Sequence, residues 1–301
     1  MALKSILPSA TVEYITYLRI VTMYISQRTV QNLRHIQRQL NQLQPEAPPK
    51  ALVVSGSPQP REDILVFSGS FNPPTTAHLA LLKLAQQFAR QHEPMFVYAA
   101  FNTHTIDKEA VVRPLLLDRI LLLKRLLHTR LPHAGILIFN RGLYTEQAEA
   151  IRMSFPRVKR IFFLVGFDKI VQILDPRYYD DRDRMLSALF KQATLLVAPR
   201  GNAGEQNLAD LLNQAENKCF ARFIHALPFD PAYRAISSTR VRQEGRQATN
   251  SVLDNVPQEI RQFIHETRAY APPVRHSDGS MVDCYEERVK YLNELVGSPV
   301  S

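Results

Sequence analysis

The stretch Ile64-Leu65-Val66-Phe67-Ser68-Gly69-Ser70-Phe71-Asn72-Pro73-Pro74-Thr75-Thr76-Ala77-His78-Leu79 constrains this chain more than any other. The apolar run 64–67 reads as a buried strand, Gly69 and the prolines as a turn, and Thr75 onward as the opening of a helix. A helix N-terminus gathers unpaired N–H groups and a positive partial charge, so it favours anions, phosphate among them. Gly69 and the small Ser70 let a ligand come close to the backbone. His78 lies three residues after Thr75, in the first turn of that helix. An imidazole there can donate a hydrogen bond to charge developing on a phosphate.

From residue 63 onward, strand-like and helix-like patterns alternate. Apolar runs of strand length cover 63–68, 95–101, 135–140, 160–165, 194–198 and 219–226, and helical patterns cover 75–91, 113–130, 144–154, 180–190 and 205–217. Such alternation predicts a parallel sheet with helices on both faces, which binds ligands beyond the carboxyl ends of its strands. A second anion-binding pattern, Ile236-Ser237-Ser238-Thr239-Arg240-Val241-Arg242, also follows a predicted strand. Its Ser and Thr residues are helix N-caps, and Arg242 offers a forked, charge-assisted contact to phosphate. Taken alone it is equally a capped surface helix with two exposed arginines. Two anion sites on one sheet edge suit a polyphosphate held at both ends.

Composition excludes several classes. The hydrophobic fraction of 45% supports a sizeable core, and the two cysteines, Cys219 and Cys284, make neither a disulfide framework nor a metal-ligand set. That favours a reducing compartment, and the expectation is cytoplasmic. No apolar run reaches membrane-spanning length. The net charge of +9 suits nucleic acid in principle, but no Lys/Arg block with interleaved aromatics accompanies it. Cationic walls around phosphorylated small molecules explain it more simply. The expectation is therefore no nucleic-acid and no membrane partner.

Gly-Ser-Phe-Asn-Pro-Pro-Thr-x-Ala-His resembles the signature of the (H/T)xGH nucleotidyltransferases, and most closely their nicotinamide/nicotinate mononucleotide adenylyltransferase branch. Ala77 replaces the usual glycine. Ile236 to Arg242 resembles the C-terminal phosphate motif of the same family, and Val256-Pro257 through Tyr270 its closing helix. The resemblance implies a Rossmann-like, doubly wound α/β domain over residues 61–275. It implies ATP and a pyridine mononucleotide as substrates, the dinucleotide and pyrophosphate as products, and Mg²⁺ arriving with ATP, held by substrate oxygens and water rather than by a protein cage. His78 and Arg242 would be catalytic. Gly69, Ser70, Phe71, Thr75, Gly166, Asp168, Arg200, Ser237, Ser238 and Thr239 would complete the ATP site. Phe163 to Asp168 resembles the Gly-x-Asp that meets the adenosine ribose, and Asp168 is equally a helix cap. Arg200-Gly201-Asn202 resembles the turn near the nucleotide. Lys108 and Asp118-Arg119 sit where the family has a substrate-side lysine and a His-Arg pair, and Arg119 could instead pair with a carboxylate. The family clamps the pyridine ring with tryptophan, and this chain has none. The corresponding position falls on Tyr179, with Tyr144 as a second aromatic. Other transferases of the superfamily, such as a cytidylyltransferase or a pantetheine-phosphate adenylyltransferase, fit the same motifs. So does a non-catalytic sensor or scaffold that binds NAD or another nucleotide.

Residues 1–60 lie outside the resemblance. Leu18, Val21, Ile25, Leu33, Ile36, Leu40 and Leu43 recur at helical spacing, followed by the linker-like Gln44-Pro45-Glu46-Ala47-Pro48-Pro49-Lys50. This helical extension either packs on the enzyme, joins copies into a homo-oligomer, or serves as an address. Residues 1–50 are expected to be dispensable for forming the site. Residues 276–301 contain one short amphipathic helix, around Cys284 to Leu295, and read as peripheral.

Overall fold

A computed structural model describes residues 27–103, 113–245, 254–275 and 279–297. One sheet of seven strands runs β1 (Ala51–Val53), β4 (Gly135–Phe139), β3 (Met95–Asn102), β2 (Glu62–Ser68), β5 (Val158–Gly166), β6 (Ala193–Ala198) and β7 (Ile224–Ala226) from edge to edge. All neighbours are parallel except β1, which pairs antiparallel with β4. Strand order moves outward from β2 to β3 and β4, then returns to place β5 on the other side of β2. The sheet is therefore doubly wound, with its switch point between β2 and β5, where such folds open a ligand crevice.

The central strand shows why both faces need helices. In β2, Leu65 and Phe67 enter one core while Ile64 and Val66 enter another. The first core takes α1 (Gln27–Asn41), α2 (Thr76–Gln91) and α3 (Leu116–Arg130) through Leu33, Leu82 and Leu123. The second takes α4 (Tyr144–Ser154), α5 (Phe167–Leu174), α6 (Arg182–Phe190) and α7 (Glu205–Asn213) through Ile151, Ile170, Leu186 and Leu208. Two elements depart from the sequence pattern. Residues 218–223 are a 3₁₀ turn rather than strand, because Phe220 and Phe223 both turn to pack on Phe190. Helix α5 was unforeseen; its stripe Ile170, Ile173 and Leu174 is buried.

The two ends of the chain are built into the domain. Leu33, Ile36, Leu40 and Leu43 are buried in the same core as Leu65 and Phe67, and residues 51–53 supply a sheet strand. The division at residue 60 therefore does not separate an appendage from the sheet, and residues 1–50 do not look dispensable. The further positions Leu18, Val21 and Ile25 fall outside the described residues. Nor is the C-terminal segment peripheral. Strand β8 (Val274–Arg275) pairs with β9 (Met281–Val282) across the expected boundary at 276. The last helices are α8 (Pro231–Arg234), α9 (Ser238–Gly245), α10 (Gln258–Thr267) and α11 (Cys284–Val296). On α11, Arg288 donates twice to the fully buried Asp118 of α3, at 3.1 and 2.6 Å, and the Tyr285 hydroxyl donates to the same carboxylate at 2.8 Å. A buried carboxylate demands such partners, since an uncompensated charge there is costly. Burial, together with the Asp118 charge, pushes the Tyr285 phenol far up, so it remains a donor. Among the described residues, no helix is long and apolar enough to cross a membrane.

Ile36 is fully buried. Ile36→Ala should lower the unfolding free energy by about 2–5 kcal/mol in a urea titration. A loosely attached helix would lose under about 0.5 kcal/mol.

Candidate functional site

The switch point opens into a cleft of about 1000 Å³, large for a small-molecule site. The loop 69–75 after β2 and the start of α5 after β5 form part of its wall, as do the turn at Arg200 after β6 and the start of α9. Gly69, Ser70, His78, Tyr144, Gly166, Asp168, Arg200, Ser237, Ser238, Thr239 and Arg242 all line it, although they span 174 positions from 69 to 242.

His78 is held by a capping box. Thr75, fully buried, is the N-cap of α2, and its hydroxyl accepts from the His78 backbone N–H at 3.3 Å. The Thr75 backbone N–H donates back to His78 Nδ1 at 3.0 Å, and the Thr75 hydroxyl lies 2.8 Å from the same nitrogen. This motif normally uses Glu or Gln at that place; here an imidazole takes the role. Because Nδ1 accepts a backbone N–H, the neutral ring carries its proton on Nε2. Phe71 packs against the ring, with centroids 5.1 Å apart.

The loop before Thr75 is shaped by what accepts and donates along it. Phe71 has φ +43°, a left-handed conformation that a bulky residue rarely adopts. Its ring is fully buried and lies 3.3 Å from where a Cβ on Gly69 would stand, so position 69 has little room for a side chain. Three carbonyls of the loop are each taken by a side chain from elsewhere. Arg119 donates to Ser70 O at 2.9 Å, Arg242 to Asn72 O at 2.7 Å and Ser238 to Pro73 O at 2.8 Å. The Asn72 side chain accepts the Tyr270 hydroxyl at 2.7 Å and donates to Arg113 O at 3.2 Å. Burial pushes the Tyr270 phenol far up, against the opposing pull of Arg242 and Arg119. At the start of α9, Ser237 accepts the Arg240 N–H at 3.2 Å, and Arg242 also donates to the Thr239 hydroxyl at 3.2 Å.

On the other wall, Asp168 and Arg200 form an ion pair at 3.1 Å, both half-exposed. Gly201, with φ +56°, makes the turn that follows Arg200, and its N–H donates to Arg234 O at 3.1 Å. Asp168 lies in the first turn of α5, whose N-cap is Gly166, so it is not itself the cap.

Four anticipated residues do not line the cleft. Thr75 and Phe71 lie beneath it and act through His78 and the loop backbone. Arg119 is also beneath the loop. It does not pair with a carboxylate, because its neighbour Asp118 is occupied by Arg288. Its Nε is buried without a partner, and burial lowers the guanidinium to about 10, so it stays charged at neutral pH. Tyr179 packs on the second core, its hydroxyl donates to Ile173 O at 2.8 Å, and burial raises its phenol to about 12. The spacing that pointed to it ignored α5 and the 3₁₀ turn 176–178, which turn the ring inward. Tyr144 does line the cleft, edge-on to Phe163 with centroids 5.0 Å apart. Lys108 lies outside the described residues. Sequence reasoning missed Asn72, Arg113 and Tyr270. The first and last stand inside recognised motifs and were readable; Arg113 carries no local signal. Among the described residues, no group of three or more His, Cys, Asp or Glu could hold a metal ion.

A doubly wound sheet with two anion-binding helix starts meeting at its switch point bears out the motif resemblance to the nucleotidyltransferases. No protein-family model matches the chain. Within the class, the chain is 25% identical over 233 residues to a Schizosaccharomyces pombe protein provisionally named nicotinamide mononucleotide adenylyltransferase, covering 69% of this chain and 86% of that one. Among solved structures, a provisionally named nicotinate-nucleotide adenylyltransferase from Vibrio parahaemolyticus aligns at TM-score 0.38 and 13% identity, over 68% of this chain and 99% of that one. Thermotoga maritima TmcAL bound with alpha-thio ATP aligns at 0.37 and 14%, over 68% and 56%. Scores this low carry no argument; the fold is read from the strand order.

The capping box predicts the tautomer of His78. A ¹⁵N–¹H correlation spectrum should show the neutral ring protonated on Nε2, and an Nδ1–H ring would contradict the geometry. Thr75→Ala should cost about 1 kcal/mol of stability through the lost cap.

Proposed function

We propose that the protein transfers the adenylyl group of ATP to nicotinamide mononucleotide or its acid form, giving the dinucleotide and pyrophosphate. The observation that carries this reading is the pinned His78, which lines one cleft together with Arg242 and the Ser237–Thr239 helix start. The mononucleotide phosphate attacks the α-phosphate of ATP in line. No protein nucleophile is required, so catalysis is positioning and charge stabilisation. His78 donates from Nε2 to the α-phosphate. Ser237, Ser238, Thr239 and Arg242 hold the β/γ end that departs as pyrophosphate. Asp168 holds the ribose hydroxyls after parting from Arg200, an exposed pair that costs little to open. Mg²⁺ supplies charge neutralisation between the phosphates. Asp168 is the one carboxylate among the described residues lining the cleft, so the ion is held mainly by substrate oxygens and water. Tyr144 is the aromatic placed to meet the pyridine ring. Lys108 is retained in the proposal as a mononucleotide contact. Arg119 supports the phosphate loop from below.

The test is direct assay of the purified full chain with ATP, Mg²⁺ and each pyridine mononucleotide, measuring dinucleotide and pyrophosphate together. Turnover only with CTP or with pantetheine phosphate would assign another transfer; tight binding without turnover would assign a sensor. His78→Ala should lower kcat by about 100- to 1000-fold. Arg242→Ala should weaken ATP far more than AMP, which lacks the β/γ end.

A further inference from the structure

Helix α11 lies beyond the stretch that resembles any nucleotidyltransferase motif, yet it reaches the cleft through a short line of contacts. Asp283 is its N-cap, accepting the N–H groups of Tyr285 at 2.9 Å and Glu286 at 3.3 Å. Both of its oxygens also take the Arg113 guanidinium: Nη2 donates to Oδ1 at 2.9 Å, and Nη1 donates to Oδ2. The pair is largely withdrawn from solvent, with the Asp283 side chain 9% exposed. Burial pushes the Asp283 carboxyl up, but Arg113 and the two N–H groups outweigh it and hold the carboxyl below its usual range. Arg113 lines the cleft and stacks over the Tyr285 ring at 4.9 Å. Its backbone carbonyl accepts the Asn72 side-chain amide, and Asn72 in turn accepts Arg242 on its carbonyl and Tyr270 on its side chain.

We propose that α11 is a positioning element of the nucleotide site: Asp283, through Arg113 and Asn72, sets the place of Arg242 over the cleft. The proposal rests on the reading of the cleft as an ATP site. The relay has a fixed base. Asp118, Arg288 and Tyr285 dock α11 on α3, and Tyr285 also accepts the Leu115 N–H at 2.7 Å, two residues from Arg113. At its far end α11 is braced by the N-terminal helix, where Arg34 Nε donates to Leu295 O at 2.9 Å. Both chain ends thus support one phosphate-facing arginine. Asn72 has no room to follow a displaced Arg113, because its carbonyl and both side-chain polar atoms are committed and it is buried.

The test uses Asp283→Asn in the full chain. Asparagine is as good an N-cap as aspartate, so the helix start is kept while the charge on Arg113 is lost. Binding of ATP and of AMP is measured in the wild-type and Arg242→Ala backgrounds. The expected result is ATP weakened by roughly 3- to 10-fold, AMP unchanged, and no further loss of ATP when Arg242 is already alanine. An Asp283→Asn protein with wild-type ATP affinity overturns the relay while the nucleotide reading stands. Equal loss for ATP and AMP, or equal loss of ATP in both backgrounds, overturns it as well, since the effect then does not pass through Arg242. If Arg242→Ala alone binds ATP as the wild type does, the assignment of Arg242 to the β/γ-phosphates fails, and the relay with it.

Discussion

The loop between β2 and α2 must offer its N–H groups to an anion while its own carbonyls stay satisfied, and the rest of the site depends on how that is done. Buried backbone acceptors need partners. Here the carbonyls of residues 70, 72 and 73 are taken by Arg119, Arg242 and Ser238, from α3 and α9. Two of these partners are guanidinium groups, so the acceptors bring positive charge to a loop that faces the cleft. The same contacts hold Phe71 in its left-handed conformation, which no local preference would sustain. A loop so bound is rigid before any ligand arrives, which is the condition under which fixed dipoles stabilise developing charge most effectively.

Histidine in the capping box serves two ends at once. It satisfies the Thr75 N–H as a glutamate would, and the hydrogen bond fixes which ring nitrogen holds the proton. A glutamate at this place would cap the helix equally well but bring negative charge toward a phosphate. The choice of imidazole thus couples local helix chemistry to the chemistry of the cleft, and the edge contacts with Phe67 and Phe71 keep the ring from turning.

The ends of the chain show how additions to a common sheet become structural. Helix α1 fills the face of the sheet beside α3, and α11 docks by a buried carboxylate with three charge-assisted or hydroxyl contacts. Neither kind of packing depends on a motif. An apolar stripe on α1 had to cover something, as its spacing implied, but what it covers is the domain's own core.

Much of this was legible in the residues alone. The alternation of apolar runs dictated the parallel sheet, because a strand such as 64–67 with no polar face must be buried on both sides. The Gly-Ser-Phe-Asn-Pro-Pro-Thr turn and the Ser-Ser-Thr start dictated two anion-binding helix openings, because N-cap chemistry is local and written in adjacent residues. What only the tertiary structure decided involves contacts between residues far apart in the chain. Tyr179 was mislaid because counting residues along a chain cannot see a helix turning its ring into the core. The tie from Asp283 to Asn72 crosses more than two hundred positions, and the burial of Asp118 with Arg288 crosses 170. A charged residue carries no mark in sequence of which opposite charge it will meet; that choice is made by the packing that brings the two together away from water.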